Sequence, residues 1–189
     1  TKIACGAMVA AAGGRYVEAA VMTSVPPYGI RVPMLLGGPD AAAALPVLTA
    51  LGFAATAASA TLGVASAIKM CRSVIVKGME AIVIASFLTA RRYGVENEVL
   101  ASLAETFPGL DWEKQGTYFW QRVVLHGRRR AEEMRESAAT VREAGLAPFM
   151  ASAIADRQVW VAMLAADGAF ADSPLDADWR TLADLIPRE

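Results

Sequence analysis

Five polar side chains, two lysines among them, recur at helical spacing along one apolar stretch of this sequence, and a lysine so placed can move a proton. At about 100° per residue, Ser66, Lys69, Ser73, Lys77 and Glu80 fall on one narrow stripe. The positions around them are mostly apolar: Val64, Ile68, Cys71, Val74, Ile75, Met79 and Ile82. A helix this hydrophobic is expected to be largely surrounded by protein, so its polar stripe faces a cleft or is internally paired. A lysine at a cleft edge can give a proton to a developing alkoxide, the more so where partial desolvation eases loss of that proton. The plainer alternative makes Lys77 and Glu80 an i,i+3 pair and leaves Lys69 reaching solvent. Spacing alone gives that alternative more weight.

The elements that must position this stripe change character along the chain. Residues 1–60 alternate in the α/β manner. A short alanine-rich helix over Ile3 to Ala12 stops at Gly13-Gly14, and Tyr16 to Val21 is a strand candidate. Pro26-Pro27-Tyr28-Gly29 is a loop, and Arg31 to Leu36 a second strand that ends at Gly37-Gly38. Asp40 is the expected cap of a helix over Ala41 to Leu51, and Phe53 to Ala57 a third strand. Three strands are a fragment of a sheet, too little for an independent α/β domain. From residue 61 to 189 the pattern is helical. Leu62 to Tyr93 reads as one long helix, Asn97 to Glu105 as a short one, and Trp112 to Ala144 as one or two. A further helix runs from Pro148 toward Gly168, and a last short one passes through Trp179, Leu182 and Leu185. The expected fold is mostly α: an all-helical C-terminal domain, 61–189, preceded by the last α/β elements of a Rossmann-type domain, 1–60.

Gly63-x-Ala65-x-x-x-Lys69 resembles the glycine-rich start of the long helix in the β-hydroxyacid dehydrogenase family, relatives of 3-hydroxyisobutyrate and 6-phosphogluconate dehydrogenases. The resemblance makes Lys69 the catalytic acid/base and puts Ser73 where the family carries a substrate-holding amide. Arg72 beside it is suited to a carboxylate or phosphate, which a guanidinium binds in a bidentate manner, or to pairing with a surface acid. Tyr16 to Ser24 is similar to the family's strand and substrate loop: Glu18, Ala19 and Val21 fit the pattern, while Met22, Thr23 and Ser24 replace its small residues. The hydroxyls of Thr23 and Ser24 are candidates for ligand contact or for turn capping. Val32 to Gly38 resembles the strand and paired glycines that follow. His126, the single histidine, aligns with a second family lysine near cofactor and substrate. The resemblance covers roughly residues 15–168. It implies an NAD- or NADP-dependent oxidoreductase that transfers a hydride between the nicotinamide and a hydroxyl/carbonyl carbon of a small hydroxy acid. A relative that reduces imines or oxidises phosphorylated acids, and a non-catalytic helical dimerisation module, are the alternatives.

The remaining features bound what partners the chain takes. No G-x-G-x-x-G follows a strand, so the main dinucleotide site is expected outside these 189 residues, and the chain by itself to be an inactive piece of a polypeptide roughly half as long again. Its composition is 55% hydrophobic and 20% charged with a formal net charge of −1, which gives no overall field toward nucleic acid or an anionic membrane. Arg128 to Arg130 are followed by Glu132, Glu133 and Glu136 within helical reach, an ion-paired solvated face. Tyr118, Phe119, Trp120 and Trp160 are at helical spacing and read as core or subunit interface. The uncharged run Ala41 to Ile68 is rich in Ala, Gly, Ser and Thr and reads as buried structure, not a membrane span. Two cysteines without zinc spacing suit a reducing cytoplasm. The greasy long helix calls for more cover than one small domain gives, which predicts a homodimer.

Overall fold

In the computed structural model, which describes residues 1–174 and 176–188, the chain divides into two compact units, 1–72 and 73–189. The first unit opens with α1 (Lys2–Ala11) and holds strands β1 (Glu18–Val21), β2 (Met34–Gly37) and β3 (Ala55–Ser59), with α2 (Ala41–Ala50) between the last two. The sheet order is β1-β2-β3. β1 pairs antiparallel with β2, Glu18 opposite Gly37 and Val21 opposite Met34. β2 and β3 run parallel, so α2 is the crossover of a βαβ unit, the connection that parallel strands require. Strand alternation in β1 buries Glu18 and Ala20 and exposes Ala19 between them. A carboxylate is thereby turned inward beside its cross-strand partner Gly37.

Three local expectations are corrected here. Arg31 is not in a strand: Gly29–Arg31 is a turn of 3-10 helix, and β2 begins only at Met34, after Pro33, which has no N–H to give a ladder. Asp40 precedes α2 without capping it through its side chain. Its carboxylate is taken by Arg15, whose Nε and Nη2 lie 2.7 and 2.6 Å from Oδ1. The run Ala41 to Ile68 is split among α2, β3 and the start of the next helix, and α2 is largely exposed, not buried.

The long helix α3 (Val64–Tyr93) starts in the first unit and continues into the second. The second unit adds α4 (Glu96–Thr106), α5 (Trp112–Glu143), α6 (Phe149–Ala166) and α7 (Trp179–Asp184). The region expected to hold one or two helices is the single 32-residue α5, started by Asp111, whose carboxylate accepts from the Lys114 N–H at 3.0 Å. Asp178 does the same for α7, accepting from the Thr181 N–H at 2.8 Å. The predicted tail segment includes Leu175 and Glu189, which lie outside the described residues.

The core of the second unit is built on Ile84, Phe87, Trp120, Val123, Val161 and Trp179, with a smaller cluster of Ala81, Met134, Ala138, Ala151, Ile154 and Ala155. Phe87 and Trp179 meet with ring centroids 4.8 Å apart. α5 and α6 pack closely because position 127 is glycine: a Cβ there would lie 2.7 Å from the Gln158 carbonyl oxygen and 3.1 Å from the Ala162 Cβ. Phe119 and Trp120 are core residues, whereas Tyr118 is exposed.

By length and composition α3 could cross a membrane, and 56% of its most apolar window is buried within the fold. Its cover is incomplete. Ile68, Ile75 and Ile82, seven residues apart and so on one line of the helix, are 42%, 67% and 56% exposed.

Candidate active site

The start of α3 is fixed by a residue from the sheet. Glu18 is 2% exposed, and its Oε1 accepts from the backbone N–H groups of Gly63 and Ala65 at 2.9 and 3.0 Å. Its Oε2 accepts from the Ser66 hydroxyl at 2.9 Å. The first N–H groups of a helix have no partner within the helix and carry the positive end of its dipole. A buried carboxylate across the sheet thus does the work normally done by a local Ser or Asp. Two glycines make room for it. Gly63 has φ +95°, where an L side chain is strained, and a Cβ on Gly37 would sit 2.3 Å from Glu18 Oε1.

Lys69 lies one turn beyond Ser66, half-buried, and no side-chain hydrogen bond or ion pair engages its ammonium among the described residues. Arg72 closes the same stretch: its Nη1 donates to the Met22 carbonyl at 3.3 Å. Met22 directly follows β1, so the strand that supplies Glu18 and the loop that follows it touch α3 on both sides of Lys69 in sequence. Thr23 and Ser24 are exposed in that loop, with no side-chain partner among the described residues. Arg72 therefore holds the loop backbone. It has no acidic partner among the described residues, and the pairing with a surface acid does not form.

Further along the helix the stripe is internally paired. Ser73 and Lys77 are 5% and 6% exposed. Lys77 Nζ donates to Ser73 Oγ at 3.3 Å and lies 2.8 Å from Glu133 Oε2 on α5. Burial pulls the Lys77 ammonium below the usual lysine value, a pull that the adjoining Glu133 carboxylate opposes. Glu80 is buried against Arg130, whose Nε donates to its Oε2 at 2.9 Å while Nη2 donates to Oε1. Gln158 Nε2 from α6 adds a third bond to Glu80 Oε2, at 3.3 Å. The simple expectation of a Lys77–Glu80 pair is thus corrected: each residue finds its partner on α5. Arg130 is corrected with it. Arg129 and Arg135 pair on the solvated face with Glu133 and Glu132, but Arg130 turns inward, because its position on α5 faces Glu80.

His126 is on the exposed side of α5, at a groove of about 570 Å³ between α5 and α6 lined also by Leu125, Arg129, Ala162 and Ala166. Partial desolvation and the guanidiniums of Arg122, Arg129 and Arg130 hold its imidazole below the usual histidine range. Of the residues expected at a site, the structure joins Arg72 to the loop of Thr23 and Ser24. It leaves Lys69 without a side-chain partner and buries Ser73.

With this geometry in view, the relatives can be placed. Residues 90–161 match the model of a domain of unknown function, DUF1932. A conserved hypothetical protein from Sinorhizobium meliloti 1021 shares 37% identity over 97% of this chain, with a TM-score of 0.86. The conserved protein MTH1747, of unknown function and described as structurally similar to 3-hydroxyacid dehydrogenases, shares 30% identity over 80% of the chain, with a TM-score of 0.66. Its fold is theirs. The chain spans 60% and 59% of the lengths of these two proteins. No curated protein matches it. The likeness is thus to proteins of hydroxyacid-dehydrogenase-like architecture, and the mostly helical fold expected from the sequence is the one found.

The crevice at the ends of the parallel strands β2 and β3, lined by Gly38, Pro39, Ala41 and Ser59, is about 170 Å³, below the roughly 300–1,000 Å³ of ordinary ligand pockets. The glycine-rich pyrophosphate turn is absent from the sequence. Two elements of the site were beyond sequence reasoning. Glu18 showed only as a position that fits the family's strand pattern, although an acidic residue in an apolar strand is a signal of a buried carboxylate in need of donors. The Glu80–Arg130–Gln158 cluster joins three helices and left no local trace.

Proposed function

We propose that the intact protein is an NAD- or NADP-dependent oxidoreductase acting on a small hydroxy acid, in which Lys69 exchanges the proton of the reacting hydroxyl/carbonyl oxygen. The observation that carries this reading is the placing of Lys69. It is a half-buried lysine on an apolar helix, without a side-chain partner among the described residues, between the capped first turn and the Arg72 contact to the 22–24 loop. An ammonium without a carboxylate neighbour keeps its protons available for a ligand oxygen. The description of MTH1747 as similar to 3-hydroxyacid dehydrogenases supports the reaction class. Bound nicotinamide would supply the hydride chemistry; none of the described residues is assigned to hold it. Thr23 and Ser24 line the substrate side of the loop, Arg72 keeps the loop in place, Ser73 lies one turn past the lysine, and His126 is the second-lysine position of the resemblance.

Replacing Lys69 by Ala in the full-length protein should leave folding and cofactor binding intact while lowering turnover of small hydroxy acids by about 10²–10⁴-fold. Assays of hydroxy acids with both cofactors check it, and unchanged turnover would sink the assignment. A second reading has its own observation. The exposed line of Ile68, Ile75 and Ile82 on α3 suits cover by a second copy of the chain, and a helical dimerisation module without catalysis would need only that line. A protein that dimerises but binds neither NAD nor NADP at full length would favour it.

A further inference from the structure

We propose that the groove between α5 and α6 binds a small organic anion with an apolar body, a carboxylate on an alkyl chain, through Arg128 and His126 at its rim. The groove forms where both helices carry little side chain. Gly127 lets α5 and α6 approach closely, and α6 contributes Ala162 and Ala166, one turn and about 6 Å apart along the helix. The exposed Leu125 of α5 completes an apolar trough of about 570 Å³, within the roughly 300–1,000 Å³ of ordinary ligand pockets.

The rim is cationic and short of acids. Arg128 and Arg129 open onto the groove beside His126, and Arg122 stands one turn before the imidazole on α5. Glu133 answers Arg129 at 3.2 Å, and Glu80 answers the buried Arg130. Arg122 and Arg128 have no ion-pair partner among the described residues. Arg122 lies against the Tyr118 ring instead, 5.6 Å from its centroid, and its Nε is shut off from solvent without an acceptor. The α6 residues that line the groove, Ala162 and Ala166, carry no charge. His126 therefore faces Arg122, Arg129 and Arg130 with no carboxylate beside it to offset them. One open guanidinium and one imidazole at the rim suit a singly charged head, which a guanidinium grips in a bidentate manner, and the trough takes the chain. An anion beside His126 offsets the guanidiniums and eases protonation of the imidazole. By reciprocity a protonated imidazole tightens the binding of the anion.

Isothermal titration of the full-length protein with octanoate, with its neutral amide octanamide and with acetate tests this. Octanoate should bind at least about fivefold more tightly than octanamide and about tenfold more tightly than acetate. Its affinity should rise from about pH 8 to about pH 6, while that of octanamide stays level. Arg128→Gln should remove most of the preference for the acid and leave octanamide binding unchanged. Ala166→Trp, which fills the trough from the exposed end of α6, should weaken both. The proton NMR signal of His126, assigned by its loss in His126→Gln, should titrate at higher pH with octanoate bound. Equal affinity for acid and amide, an unmoved His126 titration, or undiminished binding to Ala166→Trp would each overturn the proposal. So would competitive displacement of octanoate by NADPH, which would make the groove part of a cofactor site. Arg128 and Ala166 are both exposed, and thermal unfolding checks that the variants fold.

Discussion

Lys69 and Lys77 stand eight residues apart on one apolar helix, the first half-buried with no side-chain partner among the described residues, the second buried between Ser73 and Glu133. The same side chain is used in two ways, and what separates them is the element opposite. Beside Lys77 runs α5, which brings carboxylate and guanidinium groups to α3 and satisfies the stripe. In the unit that holds Lys69 the neighbouring elements bring one carboxylate, Glu18, and its acceptor oxygens go to the helix backbone and Ser66. Charge is neutralised where the helix is structural and left open where it is a candidate for chemistry, a contrast that single substitutions can break.

The largest expected effect is at the paired end. Arg130→Ala removes both guanidinium bonds from Glu80, which is buried, and leaves Gln158 as its remaining described partner. An uncompensated buried carboxylate should cost about 3–5 kcal/mol, read as a lower midpoint of urea unfolding with an unchanged slope. Lys69→Ala, by contrast, should change the unfolding free energy by no more than about 0.5 kcal/mol, as surface substitutions away from such contacts do. Equal losses at the two positions would erase the distinction.

A smaller effect is expected where the open end is anchored. Glu18→Ala strands the N–H groups of Gly63 and Ala65 and takes a negative charge from the helix N-terminus, a loss of about 1–2 kcal/mol in line with other helix caps. Amide hydrogen exchange should quicken first at Gly63 and Ala65. Glu18→Gln keeps an acceptor oxygen and should lose less. If Gly63 and Ala65 exchange no faster in Glu18→Ala, the carboxylate is not what holds the start of α3.

How far the sequence reached follows the same division between local and distant causes. The helices were legible because glycine stops, proline and apolar periodicity act over a few residues: α3 ends at Gly94 and α6 begins just after Pro148, as the pattern requires. The polar stripe was legible as a stripe. Its partners were not, since Glu133, Arg130 and Gln158 are brought to it by helix packing, and nothing within a few residues of Lys77 tells it apart from Lys69. Asp40 failed as a cap for a related reason: Arg15, 25 residues earlier, competes for its oxygens at 2.7 Å. Helix capping from a strand, as Glu18 does it, is equally nonlocal. Apolar alternation in β1 would turn Ala19 and Val21 inward, whereas the structure buries Glu18 and Ala20, so neither its inward face nor its target was legible.

The finest difference between the two lysines concerns protons. Burial lowers the Lys77 pKa from 10.5 in the fold, against the pull of Glu133. Below that lowered value both folded and unfolded chains hold the proton, and the fold carries the full desolvation penalty. As pH rises from the lowered value toward 10.5, the folded chain gives up the proton while the unfolded chain still binds it. Stability through this group therefore increases with pH across that window. Lys77→Met has no such proton to lose, so the wild-type-minus-variant difference in unfolding free energy should shift in favour of the wild type from neutral pH toward 10.5. Urea unfolding of both proteins at a series of alkaline pH values measures it. A difference that shifts the opposite way would mean that Glu133 holds the ammonium more tightly than burial expels it, and the paired end of α3 would then be an ion pair that stabilises its charge, not one that tolerates it.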